Sequence, residues 1–193
     1  MTARAISRRE LLRQTFAQVD DDERLVGEML LLERVVVASY DVAVAASRSV
    51  PQRARRVRGR PPLPELLGRL RSQEREHVEV LASKLQELGG RPAAVPEGDA
   101  ALARLRDQVG LRLPFDDLVS ERAIATFALE LEDAQLASYL GAVRDFRDAR
   151  LVELAVQIMG AEGQHAVVLR SLLGDTAAVL VPDAFERGDA DVP

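Results

Sequence analysis

The 193-residue chain has no cysteine and no tryptophan, only two histidines and two tyrosines, and aromatic residues make up 4% of it. Without cysteine there is no disulfide framework, no zinc–thiolate site and no iron–sulfur cluster, nor a rubredoxin-type iron centre within this chain. No stretch reaches the ~18 uninterrupted apolar residues of a membrane span, so no membrane association is expected. A surplus of one charge sign is also missing. The formal charge of −5 is mild for this length and implies no general affinity for nucleic acid or anionic lipid. The scarcity of aromatics beside abundant Ala, Leu, Val, Glu and Arg favours helices over sheet. A chain of this length suits one domain with a sizeable core.

The rare residues are not scattered. Both histidines follow a glutamate by three positions, as Glu74-Arg-Glu-His77 and Glu162-Gly-Gln-His165. Both tyrosines follow one by seven, Tyr40 after Glu33 and Tyr139 after Glu132. The matches extend into an internal duplication. Residues 33–44 read E-R-V-V-V-A-S-Y-D-V-A-V and residues 132–143 read E-D-A-Q-L-A-S-Y-L-G-A-V. Residues 74–85 and 162–173 both fit E-x-x-H-x-x-V-L-x-S-x-L. The order is a Glu–Tyr segment, a Glu–His segment, and the same pair again.

Periodicity places each segment on a helix. The first helix is expected from the acidic cap Asp20-Asp21-Asp22-Glu23 to about Ser47, with inward stripe Val26, Leu30, Glu33, Val37, Tyr40 and Val44. Prolines 51, 61, 62 and 64 mark a loop. The second helix runs from about Glu65 to Leu88, with Leu70, Glu74, His77, Leu81 and Leu85 inward, and stops at Gly89-Gly90. A short helical piece is expected near residues 100–108. The third helix, about Asp116 to Phe146, carries Ala125, Leu129, Glu132, Leu136, Tyr139 and Val143. The fourth, about Ala149 to Leu173, carries Leu151, Leu154, Ile158, Glu162, His165, Leu169 and Leu172. In every helix the flagged glutamate lies on the apolar stripe; Glu130 falls on the opposite side. The 24 residues 91–114 are long enough to cross a bundle of ~35–45 Å, whereas the other connections join antiparallel neighbours. The expected fold is all-α: a four-helix bundle with one long crossover between helices two and three. The expected divisions are an N-terminal segment 1–19, a bundle 20–174 and a C-terminal tail 175–193.

Four carboxylates in a bundle core repel one another and cost several kcal/mol each unless paired. Two divalent cations supply +4 against −4. Oxygen and imidazole donors with no thiolate suit iron or manganese, so two Fe or Mn ions per chain are expected. The pseudo-two-fold assigns roles: Glu74 and Glu162 shared between the ions, His77 and His165 one to each, Glu33 and Glu132 terminal. Tyr40 and Tyr139, two turns from their glutamates, are placed to donate a phenol hydrogen bond to a ligand carboxylate on another helix, or else to sit as core tyrosines near a bundle end.

These two E-x6-Y and two E-x-x-H segments resemble the ferritin-like superfamily of di-iron and di-manganese carboxylate proteins, which includes bacterioferritin, rubrerythrin and manganese catalase. The chain is most similar to bacterial ferritin-like domain proteins related to desiccation-associated proteins, over about residues 20–174. The resemblance implies an oxidoreductase acting with O2 or peroxide, through Glu33, Glu74, His77, Glu132, Glu162 and His165; a homodimer is compatible with it. The alternative is a non-catalytic metal-binding or stress-protective bundle. The chain departs from the pattern in three places. The first repeat is eleven residues longer than the second, nothing after Gly174 resembles the extra helix of ferritin cages, and no cysteine centre supplies electrons.

Two basic features need weighing. Arg53, Arg55, Arg56, Arg58 and Arg60 form a cluster with no interleaved aromatic to stack a base, so a solvated loop is expected and not a DNA-protecting surface; no nucleic acid partner is expected. Ser7-Arg8-Arg9 is similar to the core of a twin-arginine export signal, which such relatives often carry. The acids at 20–23 stand where its apolar region belongs, so a cytoplasmic protein is expected, with export as the alternative.

Overall fold

The computed structural model describes residues 8–51, 61–93 and 117–174, with side chains from residue 21 onward. Four helices make up this part: α1 (Arg8–Ser49), α2 (Leu63–Glu87), α3 (Glu121–Asp145) and α4 (Ala149–Leu173). No strand occurs among the described residues.

The helix ends follow from local chemistry. Pro64 lies in the first turn of α2, where a missing N–H costs nothing. The Ser120 hydroxyl caps α3 by accepting from Ala123 N at 3.1 Å, and Asp148 caps α4 by accepting from Arg150 N at 2.9 Å. At the end of α2, Gly90 N donates to Leu85 O at 2.9 Å and Gly89 N to Gln86 O at 3.0 Å. With Gly89 at φ +91°, this is a Schellman stop, as the Gly-Gly pair predicts. Gly90 is also fixed by packing: a Cβ there would lie 2.4 Å from Leu85 Cδ1. Gly174, at φ +91°, ends α4.

Cross-helix pairs give the directions. Asp41 of α1 meets Arg71 of α2 at 2.6 Å, while Gly27 faces Leu85, so α1 and α2 are antiparallel. Asp133 of α3 meets Arg170 of α4 at 3.1 Å, and Arg122 reaches Leu173 O; these two are antiparallel as well. Tyr40 bonds Glu132 and Tyr139 bonds Glu33, which sets α3 antiparallel to α1. Helices α2 and α3 therefore run parallel. The chain joining them, including the piece expected near 100–108, lies largely outside the described residues, as do the arginines at 53–60 and the tail.

Two expected helix starts are corrected. The third helix, expected from about Asp116, begins at Glu121, where the Ser120 side chain caps it. The first begins at Arg8 and passes straight through the acids at 20–22. Mid-helix aspartate costs only about half a kcal/mol relative to alanine, so a helix already running is not stopped by it. Asp22 caps a different element. Buried among its neighbours, it accepts from Arg147 N and Asp148 N, each at 3.1 Å, and so fastens the α3–α4 turn to α1.

The core has two apolar clusters. One gathers Leu32, Val36, Leu66, Leu67, Ile124, Phe127, Leu131 and Leu169 around Tyr40. The other gathers Val26, Leu30, Leu81, Leu85, Phe146, Leu151 and Ile158 around Tyr139. Between them lies a polar layer.

Candidate metal centre

That layer holds all six expected residues. Glu33 comes from α1, Glu74 and His77 from α2, Glu132 from α3, Glu162 and His165 from α4. The four glutamates are fully buried and His165 nearly so, while the His77 side chain keeps 13% exposure. Helical spacing puts each Glu–His pair on one face; the antiparallel faces of α2 and α4 then bring the two imidazoles to a ring separation of 6.5 Å.

The donor atoms fall into two overlapping groups. Glu33, Glu74, His77 and Glu162 form one (hereafter group A), and Glu74, Glu132, Glu162 and His165 form the other (group B); within each, one ligand atom per residue lies within 4.8 Å of all the rest. The shared residues divide their oxygens between the groups. Glu74 Oε2 is 3.5 Å from His77 Nδ1, and its Oε1 is 3.1 Å from His165 Nδ1. Glu162 Oε1 is 2.9 Å from His77 Nδ1, and its Oε2 is 3.0 Å from His165 Nδ1.

Close as they are, several of these atoms make no well-aligned hydrogen bond. Glu74 Oε1, Glu162 Oε2 and His77 Nδ1 are buried without a hydrogen-bond partner. Lone pairs that converge without a proton aligned between them fit a shared cation better than a hydrogen-bond network. The donor chemistry agrees: hard oxygens plus one imidazole nitrogen per group suit iron or manganese.

Residues 21–175 match the family model described as a ferritin-like domain. The chain belongs to this family. A search of solved structures finds similarity to a dodecameric thioferritin, a bacterioferritin-related protein from Bacteroides fragilis, at TM-score 0.60 and 16% identity over 83% of this chain and 89% of that one. No curated protein matches the chain. The likeness carries the ferritin-like fold, and the expectation of that fold from the two Glu–Tyr and two Glu–His segments is borne out.

Both tyrosines are buried and reach a glutamate on a neighbouring helix. Tyr40 OH donates to Glu132 Oε1, and Tyr139 OH donates to Glu33 Oε1. Glu132 and Glu33 thus each have one oxygen held by a phenol from the opposite helix. The other oxygen of each faces the centre: Glu132 Oε2 lies 3.1 Å from His165 Nδ1, and Glu33 Oε2 lies 3.9 Å from His77 Nδ1.

Electrostatics show how the cluster tolerates itself. Burial pushes Glu33 and Glu132 well above the usual carboxylate range, and the charges of Glu74 and Glu162 push the same way. Burial raises Tyr40 and Tyr139 well above the usual phenol range, with the adjacent carboxylates adding to it. Burial would lower both histidines, yet His77 is raised to about 10 by Glu162 and Glu74. His165 is raised to about 12 by Glu132, Glu162 and Glu74. Burial would raise Glu74, but the nearby imidazoles of His165 and His77 and the N–H donated by Gln135 hold it below the carboxylate range. Protons on imidazole and carboxyl groups thus balance the buried charge, and a cation entering here must displace them.

Two glutamines belong to the centre and were missed by the sequence reading. Gln73 Oε1 lies 2.6 Å from His165 Nε2 and can accept its proton, leaving Nδ1 turned to the carboxylates. Its counterpart in the second repeat is Ala161, so the duplication gave no signal for it. Gln135 is fully buried and donates from Nε2 to Glu33 Oε2 at 2.9 Å, Glu74 Oε2 at 2.9 Å and Glu162 Oε1 at 3.2 Å. A signal existed for this one. Glu132-x-x-Gln135 has the same three-residue step as the two Glu–His pairs.

Among the described residues no helix is long and apolar enough to cross a membrane.

Proposed function

We propose that the protein is a non-haem dimetal carboxylate protein that holds two iron or manganese ions per chain and reacts with O2 or peroxide. The observation that supports it most is the division of the Glu74 and Glu162 oxygens between two donor groups, each completed by one histidine and one terminal glutamate. Glu33, Glu74, His77 and Glu162 would hold one ion; Glu74, Glu132, Glu162 and His165 the other. Held there, two such ions would supply two-electron redox chemistry, enough with two protons to reduce hydrogen peroxide to two waters.

The chain's own residues prepare the place. Leu and Phe side chains of the two clusters close the layer from both ends of the bundle. The phenols of Tyr40 and Tyr139 keep the terminal carboxylates turned inward. The His77 side chain keeps 13% exposure, and a small oxidant would approach the layer from that side. Self-association belongs to the same reading, since the similar structure is named a dodecamer and Val156, Val167 and Val168 of α4 are exposed. Absence of cysteine means that electrons for a second turnover come from another molecule.

Elemental analysis after anaerobic reconstitution should approach two Fe or Mn per chain. Fe(II) so bound should be consumed by peroxide or air faster than free Fe(II), and the manganese form should evolve O2 from peroxide. Uptake of two ions with rates equal to the free metals would leave a non-catalytic metal-binding bundle. No uptake of either metal ends the proposal.

A further inference from the structure

Gln135 meets the same three oxygens that surround His77 Nδ1: Glu33 Oε2, Glu74 Oε2 and Glu162 Oε1. Its terminal atom therefore belongs to group A alone and not to group B. The other terminal atom, Oε1, is buried with no hydrogen-bond partner. An amide NH2 has two protons, yet here three carboxylate oxygens from three helices crowd it, which no neutral hydrogen-bond scheme requires.

The amide has two orientations related by a half-turn about its last torsion, and they fill nearly the same volume. Either one leaves an amide atom unpaired on the far side, so the charge at the centre decides between them. Carboxylates draw the N–H; a cation draws the carbonyl oxygen. We infer that Gln135 is an additional ligand: when the ion of group A binds, the amide turns and places Oε1 on it. The inference rests on the two-ion reading above.

Its consequence is a built-in inequivalence. The residue matching Gln135 in the first repeat is Val36, which is buried and apolar. Group A thus has five donor residues and group B four. The pseudo-symmetry of the duplication is broken at this position, and the ion of group A is the one held more tightly.

The test is anaerobic titration of the metal-free protein with Mn(II) and with Co(II), followed by calorimetry and by the cobalt d–d absorption. Wild type should show a tight and a weaker step. Gln135→Leu should weaken the tight step by about 10–100-fold, the range seen when a supporting group of a metal site is removed. The cobalt band of that step should intensify as coordination number falls. Binding by Gln135→Leu as tight as wild type, or tighter, overturns the inference, because an amide that only donates to the carboxylates competes with the ion. If circular dichroism shows the leucine variant unfolded, Gln135→Glu decides. It keeps an oxygen at the same reach and should bind the first ion at least as tightly as wild type; weaker binding overturns the inference. A wild type that binds no metal removes the two-ion reading itself, whereas two ions with no effect at Gln135 removes only this step.

Discussion

At the scale of single residues, the centre separates shared from unshared donors. Glu74 and Glu162 each give an oxygen to both groups, so Glu74→Ala or Glu162→Ala should abolish binding of both ions. Glu33→Ala and Glu132→Ala should each lose or weaken one and leave near one ion per chain. Metal analysis of the four variants after dialysis checks this pattern; equal loss in all four would contradict the sharing. The tyrosines act one step further out. Removing a phenol leaves a buried carboxylate oxygen unpaired, which costs about 2 kcal/mol. At this chain length that is roughly a 4–8 °C fall in Tm. Tyr40→Phe and Tyr139→Phe should therefore both melt earlier as metal-free proteins, Tyr40→Phe through Glu132 and Tyr139→Phe through Glu33. A scanning calorimeter reads the difference, and unchanged melting for both would mean the phenols are only core packing.

At the scale of helices, the unexpected element is α1, which begins at Arg8. Its acids do not cap it, and Asp22 instead accepts two backbone N–H groups from the α3–α4 turn. That bidentate anchor is worth about 2 kcal/mol by the usual range for charged caps. Asp22→Ala should lower Tm by roughly 4–8 °C with helicity kept below the transition. Asp22→Asn, which keeps one acceptor oxygen, should recover part of the loss; full stability of the alanine variant would show that the turn holds itself. The same element marks where sequence reading reached its limit. Glu33, Glu74, Glu132 and Glu162 were legible because a carboxylate on an apolar helical stripe is expensive, and an expense repeated at matched spacing points to a common cause. Gly89 was legible because φ +91° all but requires glycine there. Asp22 was not, because a cap that acts across 125 residues has the same local appearance as one that acts on its own helix. Gln73 was hidden for a related reason: its partner His165 lies on another helix, and the matching position of the second repeat is Ala161.

At the scale of the whole molecule, the buried layer ties folding to pH and to metal. His77 and His165 are raised to about 10 and about 12 in the folded chain, against about 6.5 when unfolded. Their contribution to stability is fully present below about pH 6.5 and is lost as pH rises through the folded values. Glu33 and Glu132 are raised as well, so their contribution is present below the unfolded carboxylate value and declines as pH rises above it. Glu74 is lowered, and its contribution is present above the unfolded value and lost in acid. The metal-free protein should accordingly be most stable near about pH 4.5, lose Tm as pH rises above it, and lose it more steeply above about pH 6.5 where the histidines join the glutamates. Metal acts in the opposite sense. Ligation of the imidazoles and carboxylates requires their protons to leave, so Mn(II) affinity should climb over the same interval, with protons released on binding. The gain in Tm on adding saturating Mn(II) should therefore be small near about pH 5 and large near about pH 8. Melting curves with and without Mn(II) across this range, and calorimetry in buffers of different ionisation enthalpy, read both effects. A metal-induced gain that is flat with pH, with no proton release, would show that the ions bind elsewhere than among these four glutamates and two histidines.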